Sequence, residues 1–223
     1  MATILCIETA TTNCSVALSV NGSVIVLRED NSAGYSHAER LHLYIEEVLA
    51  NGKVDRNELD AVAVSKGPGS YTGLRIGVSA AKGLCFALDI PLLSIPTLEL
   101  LSKQLIEFNG DKVAMLDARR MEVYAAIFSS EGEEIRETRA EVLSSDSFLE
   151  FLDKGPTIII GSGVEKFEAL CDHENAIFIK DRFPSAREMA LLAETKYEKS
   201  DIEDVAYFEP YYLKDFIGNK LVK

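Results

Sequence analysis

Apolar positions along this chain fall into short strands and stretches of helical period, and the order of these elements occurs twice. Thr3 to Ile7 is an apolar strand ending in an acid, Glu8. After a polar corner, Cys14 to Val20 alternates as a second strand and reaches Asn21-Gly22, the dipeptide that most favours a two-residue hairpin. A third strand, Ser23 to Arg28, follows. Leu41, Ile45, Val48 and Leu49 then recur at helical spacing, which predicts an amphipathic helix from Ser36 to Ala50. Next come a buried strand from Ala61 to Ser65, a glycine loop, a long helix to Leu88, a short strand at Leu92-Leu93 and a helix from Thr97.

The second half repeats the series. Val113 to Leu116 is a strand ending in Asp117, Val123 to Phe128 a second, and a turn at Glu131-Gly132 leads to a third around Ile135. A helix from Ser147 to Leu152, a strand from Thr157 to Ile160 and the turn Gly161-Ser162-Gly163, which opens a helix to Leu170, come next. Ile177-Phe178 is a strand and Pro184 to Tyr197 a helix. The distance from acid to turn glycine, Glu8 to Gly22 and Asp117 to Gly132, agrees within one residue. Two similar α/β domains follow, residues 1–107 and 108–223, each with a mixed sheet covered by helices and joined near Phe108 to Asp111. Duplicated βββαβα halves of this kind resemble the actin, Hsp70 and sugar-kinase ATPase architecture. That likeness concerns fold alone.

Composition narrows the function. The chain has 223 residues and a formal net charge of −13, from 36 acidic and 23 basic side chains. Such a surface repels phosphate backbones, and Arg119-Arg120 with Lys214, Lys220 and Lys223 make no basic patch that would offset it. No stretch reads as a signal peptide or reaches the roughly 18 apolar residues of a membrane span, so a cytoplasmic location is expected. The cysteines Cys6, Cys14, Cys85 and Cys171 form no C-x-x-C pair, which argues against a zinc knuckle or dithiol site. His37 and His42, five apart, do not have the spacing of helical metal ligands, and no histidine sits in a nucleophile setting. No catalytic residue and no metal ligand are assigned.

Lys66 to Gly77, KGPGSYTGLRIG, looks like a phosphate loop without its working parts. Leu74 stands where a P-loop has lysine, and Gly67, Gly69 and Gly73 are spaced one residue too widely for a dinucleotide turn. The cleft between the halves offers candidates of its own: Glu8, Thr11 and Thr12 at the first corner, Asp117 and Arg119 at the second, Gly161 and Gly163 at the glycine turn. Arg119 and Arg120 stand where an active ATPase needs small residues, so this set is read as a vestigial nucleotide cleft. The alternative is an ATP-dependent phosphotransferase of the sugar or acetate kinase type. Along the long helix Gly73, Gly77 and Ala81 form a stripe almost without side chains, with Ala80, Gly83 and Ala87 beside it. Gly77 and Gly83 together cost roughly 2 kcal/mol relative to alanine, so a close contact must offset them, either with another helix or internally, helix on sheet. Gly67-Pro68-Gly69 is then the corner that starts the helix, with Ser70 or Thr72 as N-cap.

ILCIETATTNCSVAL, HAERL, GPGSYTGLRIGVSAAKGL, PTLELL, DARRMEVYAAIF, GSG and EPYYLKD occur in the order and spacing of the bacterial TsaB (YeaZ) family, which serves threonylcarbamoyladenosine formation on tRNA. The resemblance covers nearly the whole chain, with GPGSYTGLRIG its most specific block. It implies a non-catalytic scaffold that binds a TsaD-like catalytic subunit and a TsaE-like ATPase. It further implies a homodimer when alone, contact with tRNA only indirectly, and no tightly bound cofactor, ATP being used by the assembly. It places the partner surface on the first two helices, at His37, Leu41, Gly73, Arg75, Gly77, Ala80, Ala81 and Gly83. The paralogue TsaD carries an H-x-x-x-H metal motif whose positions here are Thr97 and Leu101, neither a useful ligand.

Overall fold

The structure, a computed structural model, describes residues 2–31, 37–105 and 107–214; Ser36, Lys220 and Lys223 lie outside them. The first sheet contains β1 (Thr3–Glu8), β2 (Cys14–Val20), β3 (Ser23–Asp30), β4 (Ala61–Gly67) and β5 (Leu92–Pro96), in the order β3-β2-β1-β4-β5. Helices α1 (His37–Gly52) and α2 (Tyr71–Leu88) connect its strands, and α3 (Thr97–Lys103) leaves it. The second sheet repeats the plan as β10-β9-β6-β7-β8, from β6 (Asp111–Asp117), β7 (Glu122–Phe128), β8 (Glu134–Val142), β9 (Thr157–Ile160) and β10 (Ala176–Ile179). In both, three antiparallel strands are followed by two that run parallel to the first. The hairpin signal is sound, since Asn21 and Gly22 have φ of 51° and 70°, the two positive values that a type I′ turn requires.

Strand alternation sends each sheet's residues to two layers. Leu5, Ile7, Val16, Leu18, Val62 and Val64 pack under Leu41, Ile45 and Val48 of α1 and Val78, Ala81 and Cys85 of α2. The opposite face, with Ile4, Cys6 and Ala63, is covered by Met189 and Ala193 of α6 (Met189–Glu198). In the second sheet one face is closed by α4 (Leu149–Leu152) and α5 (Val164–Glu168) through Leu152, Val164 and Phe167. Its other face meets Leu98 and Leu101 of α3.

The boundary between residues 107 and 108 therefore separates the sheets and not the helices. α3, from the first half, lies on the second sheet, and α6, from the second half, lies on the first. The helices read in the second half are also shorter than expected. The Ser147 to Leu152 helix is one turn, the helix to Leu170 ends at Glu168, and α6 starts at Met189 rather than Pro184. Residues 184–188 are held by side-chain bonds instead, with Asn13 Nδ2 donating to Pro184 O at 3.0 Å and Ala186 N to Ser15 Oγ at 3.1 Å.

Candidate functional site

The glycine block closes on the first corner of its own chain. Ser70 N donates to Ala10 O at 2.6 Å, and a Cβ at Gly69 would collide with that same carbonyl. A Cβ at Gly73 would strike the carbonyl of Thr9, and one at Gly77 the Thr9 hydroxyl. That hydroxyl donates to Gly73 O at 2.8 Å, and Ser70, as N-cap, accepts from Gly73 N. The stripe read as a partner surface is thus internal. Ala81 and Leu41 are fully buried in the core beneath α1 and α2. His37 is buried too, its Nε2 2.7 Å from Thr11 O, and burial lowers its pKa against the opposing pull of that carbonyl. Of the eight residues placed on the partner face, Arg75, Ala80 and Gly83 remain at the surface, where they line one groove.

This groove, about 900 Å³, runs between the outer faces of α1 and α2, with His42, Ile45, Tyr71 and Leu84 among its walls. The Arg75 guanidinium lies 5.4 Å from the centre of the Tyr71 ring and donates to its hydroxyl at 3.0 Å. A Cβ at Gly83 would meet nothing within 4 Å. On the last turns of the same helix Phe86 is 85% exposed. A helical glycine with open space before it has no reason among the described residues of its own chain.

The corners of the cleft are occupied by their own turns. Glu8 is buried, and its Oε1 accepts from Ala10 N at 2.5 Å. The Ser65 hydroxyl faces the carboxyl without completing a hydrogen bond. Burial pushes the Glu8 carboxyl up to about 7; Ala10 N–H and Ser65 oppose the shift and the nearby Glu188 adds to it. Thr11 Oγ1 accepts from Asn13 N at 3.3 Å, and Thr12 donates to Asn31 at 2.6 Å. At the second corner Asp117 Oδ1 accepts from Arg119 N at 2.6 Å and from Lys166 Nζ at 2.8 Å. A Cβ at Gly161 would meet Met115 O, and one at Gly163 would lie 2.8 Å from Val123 Cγ1. The first glycine block thus presses on the corner of its hairpin and the second glycine turn on the hairpin strands β6 and β7, and in both corners the acid binds the turn that follows it.

Comparison with known proteins places this geometry. The family model for TsaD, tRNA N6-adenosine threonylcarbamoyltransferase, matches residues 31–207. The tRNA threonylcarbamoyladenosine biosynthesis protein TsaB of Haemophilus influenzae is 31% identical, over 96% of this chain and 94% of its own. Its namesake in Escherichia coli is 30% identical, over 97% and 96%. The chain belongs to the TsaB family. The structure of YeaZ from Pseudomonas aeruginosa superimposes with a TM-score of 0.83 at 27% identity, covering 96% of this chain and all of that one.

In this TsaB-family chain Thr97 and Leu101 are both buried, Leu101 among the apolar residues between α3 and the second sheet. Among the described residues no group of three His, Cys, Asp or Glu could hold a metal ion, and no helix is long and apolar enough to cross a membrane. All four cysteines are free and buried, and burial pushes the Cys6 thiol up to about 12, far from a reactive thiolate.

Glu8 gives a prediction with a definite sign. Its folded pKa, about 7, lies above the ordinary value of 4.5, so its contribution to stability is fully present below pH 4.5 and is lost as the pH rises to 7. Glu8→Gln keeps an acceptor for Ala10 N–H and cannot ionise. Relative to the parent, the variant is expected to gain up to about 3 kcal/mol between pH 5 and pH 8. Urea unfolding at both pH values reads this directly, and an equal difference at the two would contradict it.

Proposed function

We propose that this chain is a non-catalytic subunit in the formation of threonylcarbamoyladenosine on tRNA, and that it presents the outer faces of α1 and α2 to a TsaD-like catalytic subunit. The observation that carries the reading is Gly83. In a helix interior glycine costs roughly 1 kcal/mol relative to alanine, and here no neighbour among the described residues requires it. A helix of another subunit laid in the groove would require it, because only a residue without a side chain allows close approach there. Arg75 and Ala80 flank the same contact, and two copies of this groove would also serve a homodimer when the partner is lacking. The relatives' names supply the process, and the TsaE-like ATPase completes the cytoplasmic assembly.

The corners support the non-catalytic half of the proposal. Phosphoryl transfer needs carboxylates free to hold a metal and backbone donors free for phosphate. Asp117 is committed to Arg119 N–H and Lys166, and Glu8 is a buried carboxyl whose proton is retained to about pH 7. ATP is then consumed elsewhere in the assembly, and with a net charge of −13 the chain meets tRNA only through its partner.

Replacing Asp117 or Arg119 by alanine is expected to leave tRNA modification by the reconstituted assembly within a few-fold of the parent. Asp117→Ala gives up a half-exposed ion pair, worth under about 1 kcal/mol. A loss of activity beyond a hundredfold at unchanged melting temperature, or tight Mg-ATP binding with turnover by the isolated chain, would overturn the non-catalytic reading.

A further inference from the structure

The segment after α6 contains no helix or strand of its own among the described residues, yet it is fastened at every few positions to distant parts of the chain. Glu203 N donates to Leu92 O at 2.8 Å, and the Glu203 carboxylate accepts from the Ser94 hydroxyl, both on β5. Lys82 of α2 reaches out to Ala206 O and Phe208 O, at 3.2 and 2.9 Å. Tyr211 N donates to Lys66 O at 2.6 Å, and the Tyr212 ring packs on Tyr71, centroids 4.9 Å apart. Gly67 serves this passage, because a Cβ there would lie 2.7 Å from Tyr211 O. The last anchor is on the other sheet: the Lys214 ammonium pairs with the Glu122 carboxylate at the start of β7.

These anchors join two particular places. Lys66 and Gly67 lead into the glycine loop that closes on the first corner, at Ala10. Glu122 follows the second corner, and its carbonyl also accepts from Lys166, the residue that holds Asp117. The chain crosses covalently between the sheets through the α3–β6 and β10–α6 connections; this segment adds a crossing made only of non-covalent contacts. We propose that residues 203–214 are a latch that holds the two halves in register and releases at Lys214–Glu122. The first-half end is held by main-chain bonds and aromatic packing, whereas the second-half end is a partly exposed ion pair, among the weaker contacts a protein makes. Release therefore begins at Lys214.

Spin labels on Ala50→Cys and Glu174→Cys, both exposed sites, report the separation of the halves in the full chain, since the four native cysteines are buried. The parent is expected to give one narrow distance distribution by double electron–electron resonance. Lys214→Glu should add a second, longer population, and the swapped pair Lys214→Glu with Glu122→Lys should remove it. Circular dichroism confirms folding, and Glu122→Gln tests the same contact from the other end if Lys214→Glu does not fold. A distribution unchanged by breaking the pair, or one broadened and not restored by the swap, overturns the latch.

Discussion

Gly73→Ala is expected to be the most damaging small substitution in α2, lowering stability by about 3 kcal/mol or more despite the better helix propensity of alanine. The new methyl would stand on the Thr9 carbonyl, with Ser70 Cβ at 3.3 Å and His37 Cδ2 at 3.4 Å closing the other sides. A backbone oxygen cannot turn aside as a side chain can. Moving it would displace Ala10, which holds both Ser70 N and the close approach of Gly69. Gly77→Ala meets the Thr9 hydroxyl, which can rotate, but only by giving up its buried hydrogen bond to Gly73 O. Its cost is then about 1–2 kcal/mol. Gly83→Ala meets nothing and should stabilise by roughly 1 kcal/mol. The order of the three urea midpoints is the check, and equal stability of the Gly73 and Gly83 variants would show that α2 does not press on the corner.

The repeated strand order, the hairpin and the acid at each first strand's end were legible because each rests on local spacing or turn chemistry. The small-residue stripe was read outward, onto a partner, although the residues beside it point inward. Gly73, Gly77 and Ala81 share an arc of α2 with Leu74, Val78 and Cys85, an apolar arc that belongs to the core, whereas Gly83 stands outside it. What the pattern does not contain is which sheet a helix covers. α3 buries Leu98 and Leu101 on the second sheet and Leu100 on the first, a choice made by residues far apart in sequence. The burial of His37 escaped for a like reason, since its partner, the Thr11 carbonyl, belongs to a corner 26 positions earlier.

At the outer groove the largest effect is expected from Gly83→Leu. In the isolated chain the side chain would point into open space, and the helix gains roughly 0.8 kcal/mol of intrinsic propensity, so the variant should fold and melt no lower than the parent. Against a partner helix the same side chain holds the two backbones apart and forfeits the packed centre of the contact, where binding energy concentrates. Loss of about 2 kcal/mol or more there weakens the heterodimer roughly 30-fold or further. Gly77→Leu offers no such separation of folding from binding, because its side chain would enter the chain's own corner.

Light scattering of the Gly83→Leu chain mixed with the TsaD-like subunit tests the account most directly. Parent chain and partner should run as a heterodimer, while the variant, folded by circular dichroism, should leave both subunits separate at the same concentration. A variant that forms the heterodimer with the affinity of the parent would contradict the assignment of this groove as the partner surface.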